Sequence, residues 1–204
     1  MSDNYTSDWF SHNISAWQGF FARLDPQQPM TGVEIGVFEG RSAVWLLEHV
    51  LKNPQSRLHC IDVFAHYEQS DSYWHRFKSN VERFGEKAVI HHGSSFDHML
   101  RLVADGVRAD FVYVDGSHRA SEVLEDLVLG FHLLKPGGLM ICDDYLGGAG
   151  SNRDMTLGSP KYAVDTVTTM YRDRLQIIAG QPLYQLAMIK TSDRSDDDLA
   201  SRAQ

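Results

Sequence analysis

Apolar runs that are typical of buried strands alternate along this chain with segments of helical periodicity. The clearest run, ADFVYVDG at residues 109–116, is almost continuously apolar, as in a parallel strand that is covered on both faces. Residues 119–134 then carry apolar side chains at helical spacing, and the breaker at 135–138 ends that segment. This alternation predicts an α/β fold with a doubly wound, mostly parallel sheet.

Seven strands and six helices are predicted in this way. The strands are residues 31–37, 57–64, 88–94, 109–116, 138–144, 174–179 and 183–191. The helices are residues 8–24, 41–51, 72–84, 96–104, 119–134 and 160–173. The last two strands are separated only by a short turn around Gly180 and Pro182, which predicts a C-terminal antiparallel hairpin.

The chain is divided by its patterns into three parts. Residues 1–29 are predicted to be a helical segment packed on the body, 30–191 the main domain, and 192–204 an acidic flexible tail. The aromatic face of the first helix suits packing on the body, and it leaves a lid or a homodimer contact open. Residues 63–72 and 146–159 are long loops beside the expected site, and each can be a lid or a plain surface loop.

Composition and charge exclude several classes of partner. The net charge of −8 argues against nucleic acid, because phosphate binding requires a basic surface. The sequence has no apolar stretch of about 20 residues, so a membrane partner is not expected. The N-terminus does not resemble a signal peptide, and Cys60 and Cys142 fall in predicted strands as core thiols. A small-molecule substrate and a cytoplasmic location are therefore expected.

Three carboxylates follow the fourth and fifth predicted strands. Asp115 ends FVYVD, and Asp143 and Asp144 end GGLMICDD. If these strands are neighbours, the acids meet at one edge of the sheet, and oxygen ligands of this kind suit Mg²⁺, Mn²⁺ or Ca²⁺. His118 lies three residues after Asp115, where it can act as a base.

A second acidic site is predicted where the first strand turns into a helix. In Glu34-Ile-Gly36-Val-Phe38-Glu-Gly40 the glycines allow a tight turn and a close approach to a ligand. A dinucleotide fingerprint requires a glycine where Phe38 stands, so a cationic ligand group suits Glu34 better than a pyrophosphate. Asp62, at the end of the second strand, can bind a ribose diol or cap its own loop.

Together these motifs resemble those of class I S-adenosylmethionine (SAM) dependent methyltransferases. Over residues 30–190 the chain is most similar to the macrocin and mycinamicin type of metal-dependent sugar O-methyltransferase, and more distantly to the catechol type. The catechol enzymes have Lys and Asn where this chain has His118 and Asp144, which favours the sugar and macrolide branch.

The resemblance implies methyl transfer from SAM to a hydroxyl of a sugar, polyketide or phenolic acceptor. It implies His118 as the base and Asp115, Asp143 and Asp144 as ligands of Mg²⁺ or a similar ion. The residues expected to bind SAM are Glu34, Gly36, Phe38, Gly40, Ser42, Asp62, Val63, Ser94, Ser95 and Asp115. Ser94 and Ser95 can equally cap the next helix. The alternatives are a nicotinamide-dependent oxidoreductase, a non-catalytic binding protein, and a hydroxylase that uses the same acids.

Overall fold

Seven strands form one sheet in the computed structural model of the protein. The structure describes residues 4–64, 72–146, 158–180 and 184–193. The strands are β1 (Thr31–Ile35), β2 (Arg57–Asp62), β3 (Ala88–His92), β4 (Ala109–Val114), β5 (Leu134–Cys142), β6 (Leu175–Ile177) and β7 (Leu186–Lys190). Their order is β3-β2-β1-β4-β5-β7-β6, with β7 antiparallel to both neighbours and the others parallel. The predicted mostly parallel sheet with an antiparallel C-terminal hairpin is confirmed.

The described residues include six α-helices, of which the first precedes β1 and the other five lie between successive strands. They are α1 (Ile14–Phe21), α2 (Arg41–Trp45), α3 (Tyr73–Val81), α4 (Ser95–Ala104), α5 (Ala120–Leu133) and α6 (Pro160–Met170). A π-helical turn continues α2 as far as Val50. Within the described ranges no helix is both long enough and apolar enough to cross a bilayer.

Each face of the sheet carries its own apolar core. One core contains Trp17 of α1, Trp45 of α2 and Phe77 of α3. The other contains Leu127 of α5 and Val164 of α6. Because both faces are covered, the central parallel strands have nearly continuous apolar sequences.

The starts of two elements differ from the sequence-based prediction by four residues or more. The first helix was expected over 8–24, but the side chain of Asp8 accepts the N–H groups of Phe10 and Ser11 at 3.1 and 2.8 Å and starts a 3₁₀ turn, so α1 begins only at Ile14. The fifth strand was expected to start at Gly138, yet it begins at Leu134 across a register irregularity opposite β4. Most of the predicted loop 146–159 and the tail from residue 194 lie outside the described residues.

The strand register determines where the candidate site lies. Ile35 of β1 pairs with Val114 of β4, and Val114 pairs with Cys142 of β5, so these three strands end at one level. The strand order reverses direction at β1 and β4, and ligands of open α/β sheets bind beyond the strand ends at such a switch point.

Candidate active site at the carboxyl edge of the sheet

The turn between β1 and α2 brings its backbone against the end of β4. Gly36 and Gly40 have φ of 82° and 84°, a region that favours glycine. A Cβ on Gly36 would lie 2.1 Å from the carbonyl oxygen of Asp115. Phe38 also has a positive φ, of 48°, and the residue is 41% exposed. The turn is therefore shaped for a ligand that approaches its backbone closely.

Glu34 places a buried carboxyl group beneath this turn. Its side chain is fully buried, the Ser42 hydroxyl donates to Oε1, and Oε2 has no partner within the described chain. Burial, opposed in part by the Ser42 hydrogen bond, raises the pKa of Glu34 to about 8, and the Asp62 carboxylate adds to the rise. A cationic ligand group beside this oxygen would relieve the cost of ionising it.

Asp62, at the end of β2, stabilises the same turn through hydrogen bonds. Its Oδ2 accepts the N–H groups of Val37 and Phe38, both at 3.0 Å, and its Oδ1 accepts that of Phe64 at 2.8 Å. The structure therefore shows the capping role that was one of two alternatives for this residue. Oδ1 keeps a second lone pair, so this atom can still accept a bond from a ligand hydroxyl.

A cavity of about 440 Å³ opens beside these residues, between the ends of β1, β2 and β3. A volume of this size is ordinary for a small-molecule site. Of the expected SAM-binding residues, Gly36, Asp62, Val63, Ser94 and Ser95 line it. Glu34, Phe38, Gly40, Ser42 and Asp115 are not part of its wall. Sequence reasoning missed Phe96, Ser117, Glu122 and Glu125, which line the cavity from the starts of α4 and α5.

Asp115 and Asp143 converge on a third side chain, that of Tyr113. The Tyr113 hydroxyl lies 2.8 Å from Oδ2 of Asp115 and 2.6 Å from Oδ2 of Asp143. Gln185 Nε2 also donates to Oδ2 of Asp143, at 2.8 Å. Burial, followed by the like charge of Asp143, raises the pKa of Asp115 well above its usual range. Neither Tyr113 nor Gln185 was a sequence-based site residue.

Asp144 and His118 form a separate pair at the same edge. His118 Nδ1 lies 3.1 Å from Oδ2 of Asp144, and both side chains are roughly half exposed. Asp144 has a φ of 53°, and its backbone N–H donates to Oδ1 of Asp143 at 2.8 Å. An imidazole that donates from Nδ1 to a carboxylate has Nε2 free to accept a proton.

The expected metal ligands are carboxylates, which suit a hard cation, but they do not form a complete coordination site. In the part of the chain that is described, no three His, Cys, Asp or Glu side chains are grouped as ligands of one ion. Asp144 meets His118 rather than the other two acids. Asp115 and Asp143 are partly buried, and each nevertheless brings one oxygen to the Tyr113 hydroxyl; no Lys or Arg within the described residues pairs with either of them. This donor set suits Mg²⁺.

A known protein family covers the region that contains these residues. Residues 33–145, more than half of the chain, match the family model described as "Methyltransferase domain". The match includes the β1–α2 turn, Asp62, the Tyr113–Asp115 segment and both acids after β5. No curated protein matches the chain at a significant level.

Solved structures with the same fold include several O-methyltransferases. TomG of Streptomyces achromogenes, an O-methyltransferase solved in complex with SAM, is 22% identical, with a TM-score of 0.60 over 81% of this chain and 75% of TomG. A putative O-methyltransferase of Klebsiella pneumoniae is 15% identical, with a TM-score of 0.69 over 92% and 84%. MycE, solved with Mg, S-adenosylhomocysteine (SAH) and mycinamycin VI, is 16% identical, with a TM-score of 0.60 over 91% of this chain but 51% of MycE. At these identities the likeness establishes the fold.

Proposed function

This chain belongs to the methyltransferase domain family, and we propose that it transfers the methyl group of SAM to a hydroxyl oxygen of a small molecule. One observation carries the proposal. Glu34, a fully buried carboxyl group whose Oε2 has no hydrogen-bond partner among the described residues, lies under a glycine turn near a cavity of about 440 Å³ at the switch point of the sheet. A ligand with a cationic end and a nucleoside end suits both features.

In this proposal the donor extends along the edge of the sheet. Glu34 faces the cationic methionine end, and the glycine turn lets that end approach the backbone. Oδ1 of Asp62 accepts a ribose hydroxyl. Ser94 and Ser95, with Val63 nearby, line the cavity at the adenine end. Bound SAM would supply an electrophilic methyl group, and the fixed strand ends would keep the residues that hold donor and acceptor in place, a positioning effect that supplies much of the rate in such reactions.

Deprotonation of the acceptor is assigned to His118. Its Nδ1 faces Asp144, so the ring is oriented with Nε2 available for the acceptor proton. A positioned base of this type is typically worth about 10²–10⁴ in rate. Asp115, Asp143 and Asp144 would hold a divalent ion, with Mg²⁺ as the first choice, and this ion supplies Lewis-acid activation of the acceptor hydroxyl.

The acceptor is proposed to be a sugar, polyketide or phenolic compound. His118 and Asp144 support the sugar and macrolide branch, and MycE, which has this fold, was solved with a mycinamycin and Mg. The oxidoreductase alternative is not favoured by the family match. A homodimer and a cytoplasmic location remain predictions.

Calorimetry on the full chain tests donor recognition first. We expect SAH to bind and NAD⁺ not to bind, and binding of NAD⁺ alone would refute the donor assignment. Transfer of a labelled methyl group to a panel of hydroxyl compounds then tests the reaction, with and without chelator.

Two matched variants test the base. His118→Ala should lower turnover by about 10²–10⁴-fold while SAH binding stays intact. His49→Ala, in which the lost imidazole stacks on Trp45 away from the site, serves as the control. Full turnover of His118→Ala in the presence of chelator would eliminate both the base and the ion from the mechanism.

A further inference from the structure

Tyr113 lies between two partly buried acids of the site, Asp115 and Asp143. It lies on β4 and precedes Asp115, which directly follows the strand, by two residues, so both side chains are on the same side of the sheet. The residue is 2% exposed, and its ring packs edge-on against Trp17 with centroids 4.8 Å apart. Because the ring is enclosed, the position of its hydroxyl is fixed.

This hydroxyl connects carboxylates from two different strands. It lies 2.8 Å from Oδ2 of Asp115 and 2.6 Å from Oδ2 of Asp143, close enough to hydrogen bond with either. A tyrosine hydroxyl has one hydrogen, so it donates to one carboxylate and bonds to the other acid only by accepting from it when that acid is protonated. The spacing between the two carboxylates is therefore set by a neutral group rather than by a Lys or Arg.

Gln185 holds Asp143 from the opposite side. Its Nε2 donates to Oδ2 of Asp143 at 2.8 Å, and its Oε1 accepts the indole N–H of Trp17 at 3.0 Å. An indole nitrogen can only donate, so the Trp17 bond fixes which end of the amide faces Asp143. Gln185 and Trp17 are both completely buried. A hydrogen-bonded chain thus runs from α1 to the acids.

We propose that Tyr113 and Gln185 are positioning residues that hold Asp115 and Asp143 in the orientation needed to bind a divalent cation. The inference rests on the proposed function, in which these acids are metal ligands. Donors in this outer position orient ligand carboxylates, and their loss typically weakens metal affinity about 10–100-fold. Both donors are uncharged, so they order the acids without neutralising them.

Titration of the full chain with Mn²⁺ tests this directly. The free ion is measured by its electron paramagnetic resonance signal. Tyr113→Phe removes one oxygen and keeps the buried ring. Gln185→Met removes the amide and keeps the length of the side chain. Each variant should weaken Mn²⁺ affinity by about 10–100-fold, with the affinity for SAH unchanged within about twofold. Tyr162→Phe, on an exposed part of α6, is the matched control and should bind Mn²⁺ as the wild type does.

The outcomes separate the inference from the function on which it rests. A wild-type chain that binds SAH but not Mn²⁺ would remove the metal site, and the positioning role with it. If the wild type bound Mn²⁺ and both variants bound it with the same affinity as the wild type, the positioning role alone would be overturned. If Tyr113→Phe lost SAH affinity by the same factor as Mn²⁺ affinity, the hydroxyl would have a general structural role and the inference would be wrong. Should Tyr113→Phe not fold, Gln185→Met decides by the same criteria.

Discussion

Replacing Glu34 by Gln should change how the stability of this protein depends on pH. Burial raises the pKa of this carboxyl group from 4.5 to about 8. The folded state therefore prefers the protonated form, and stability that is present below pH 4.5 is lost as the pH rises through about 8. One pKa unit corresponds to about 1.4 kcal/mol, so ionisation of Glu34 lowers the unfolding free energy of the wild type by about 5 kcal/mol in total. About 3 kcal/mol of this loss falls between pH 6 and pH 9. Glutamine cannot ionise and has no such loss.

Urea unfolding of both proteins at pH 6 and pH 9 measures this difference. The wild type should lose about 3 kcal/mol of unfolding free energy relative to Glu34→Gln between these pH values. Only the change with pH is compared, because the new amide also leaves a buried donor without a partner. Glu48→Gln removes an exposed carboxylate paired with Arg83, and it should follow the wild type at both pH values. If the curves of the wild type and Glu34→Gln ran parallel, the burial argument would be refuted.

The same carboxyl group gives a second readout when the donor binds. Below pH 8 Glu34 is mostly protonated in the free protein, so a cationic ligand should drive it to ionise. Binding of SAM at pH 7 should then release a proton, which calorimetry in buffers of different ionisation enthalpy detects. Glu34→Gln should bind SAM more weakly and without this release. An equal proton count in both proteins would show that Glu34 does not meet the cationic group.

Three further perturbations follow from the geometry. Gly36→Ala combines a positive φ with a contact of 2.1 Å to the carbonyl oxygen of Asp115 and should lower the unfolding free energy by about 3 kcal/mol or more in urea unfolding. Gly106→Ala, with a positive φ and no atom within 4 Å, should lower it by only about 1–2 kcal/mol. Asp62→Ala leaves three backbone N–H groups without their acceptor, so it should lower the unfolding free energy by about 3 kcal/mol and weaken SAH binding by calorimetry. Burial, with the neighbouring His59 and His98, lowers the pKa of His91 to about 4, so stability present above pH 6.5 is lost as the pH falls towards 4. His91→Asn should therefore lose about 1–2 kcal/mol less than the wild type between pH 7.5 and pH 4.5, and equal losses would contradict this.

The sheet could be predicted from the sequence because its signal is local. Parallel strands covered on both faces have nearly continuous apolar sequences, and residues 109–114 show this pattern directly. The ends of elements were less predictable because they depend on single contacts. The apolar spacing over 8–24 continues through the turn that Asp8 caps, so periodicity alone could not place the start of α1 at Ile14.

The location of the site followed from topology, whereas its hydrogen bonds did not. Acids at the carboxyl ends of neighbouring parallel strands must share one edge, and the predicted adjacency of the fourth and fifth strands is confirmed. Asp144 has a positive φ and meets His118, whereas Asp143 meets Tyr113, and nothing in the sequence distinguishes these two adjacent acids. Tyr113 is part of an apolar strand run, and nothing in that run separates a tyrosine used for packing from one whose hydroxyl contacts the acids.

Gln185 shows most clearly why the rest of the site required a structure. It lies one residue before β7, and the antiparallel register pairs Cys142 with Leu186, which places Gln185 opposite Asp143. A slip of one residue in that register would turn every β7 side chain to the other face and would separate the amide from both Asp143 and Trp17. The sequence of the hairpin is compatible with several registers, and only packing of β7 against β5 selects this one. The contact that orients the acids is therefore a property of the assembled sheet, and any change that shifts β7 should disturb Asp143 without altering the β1–α2 turn.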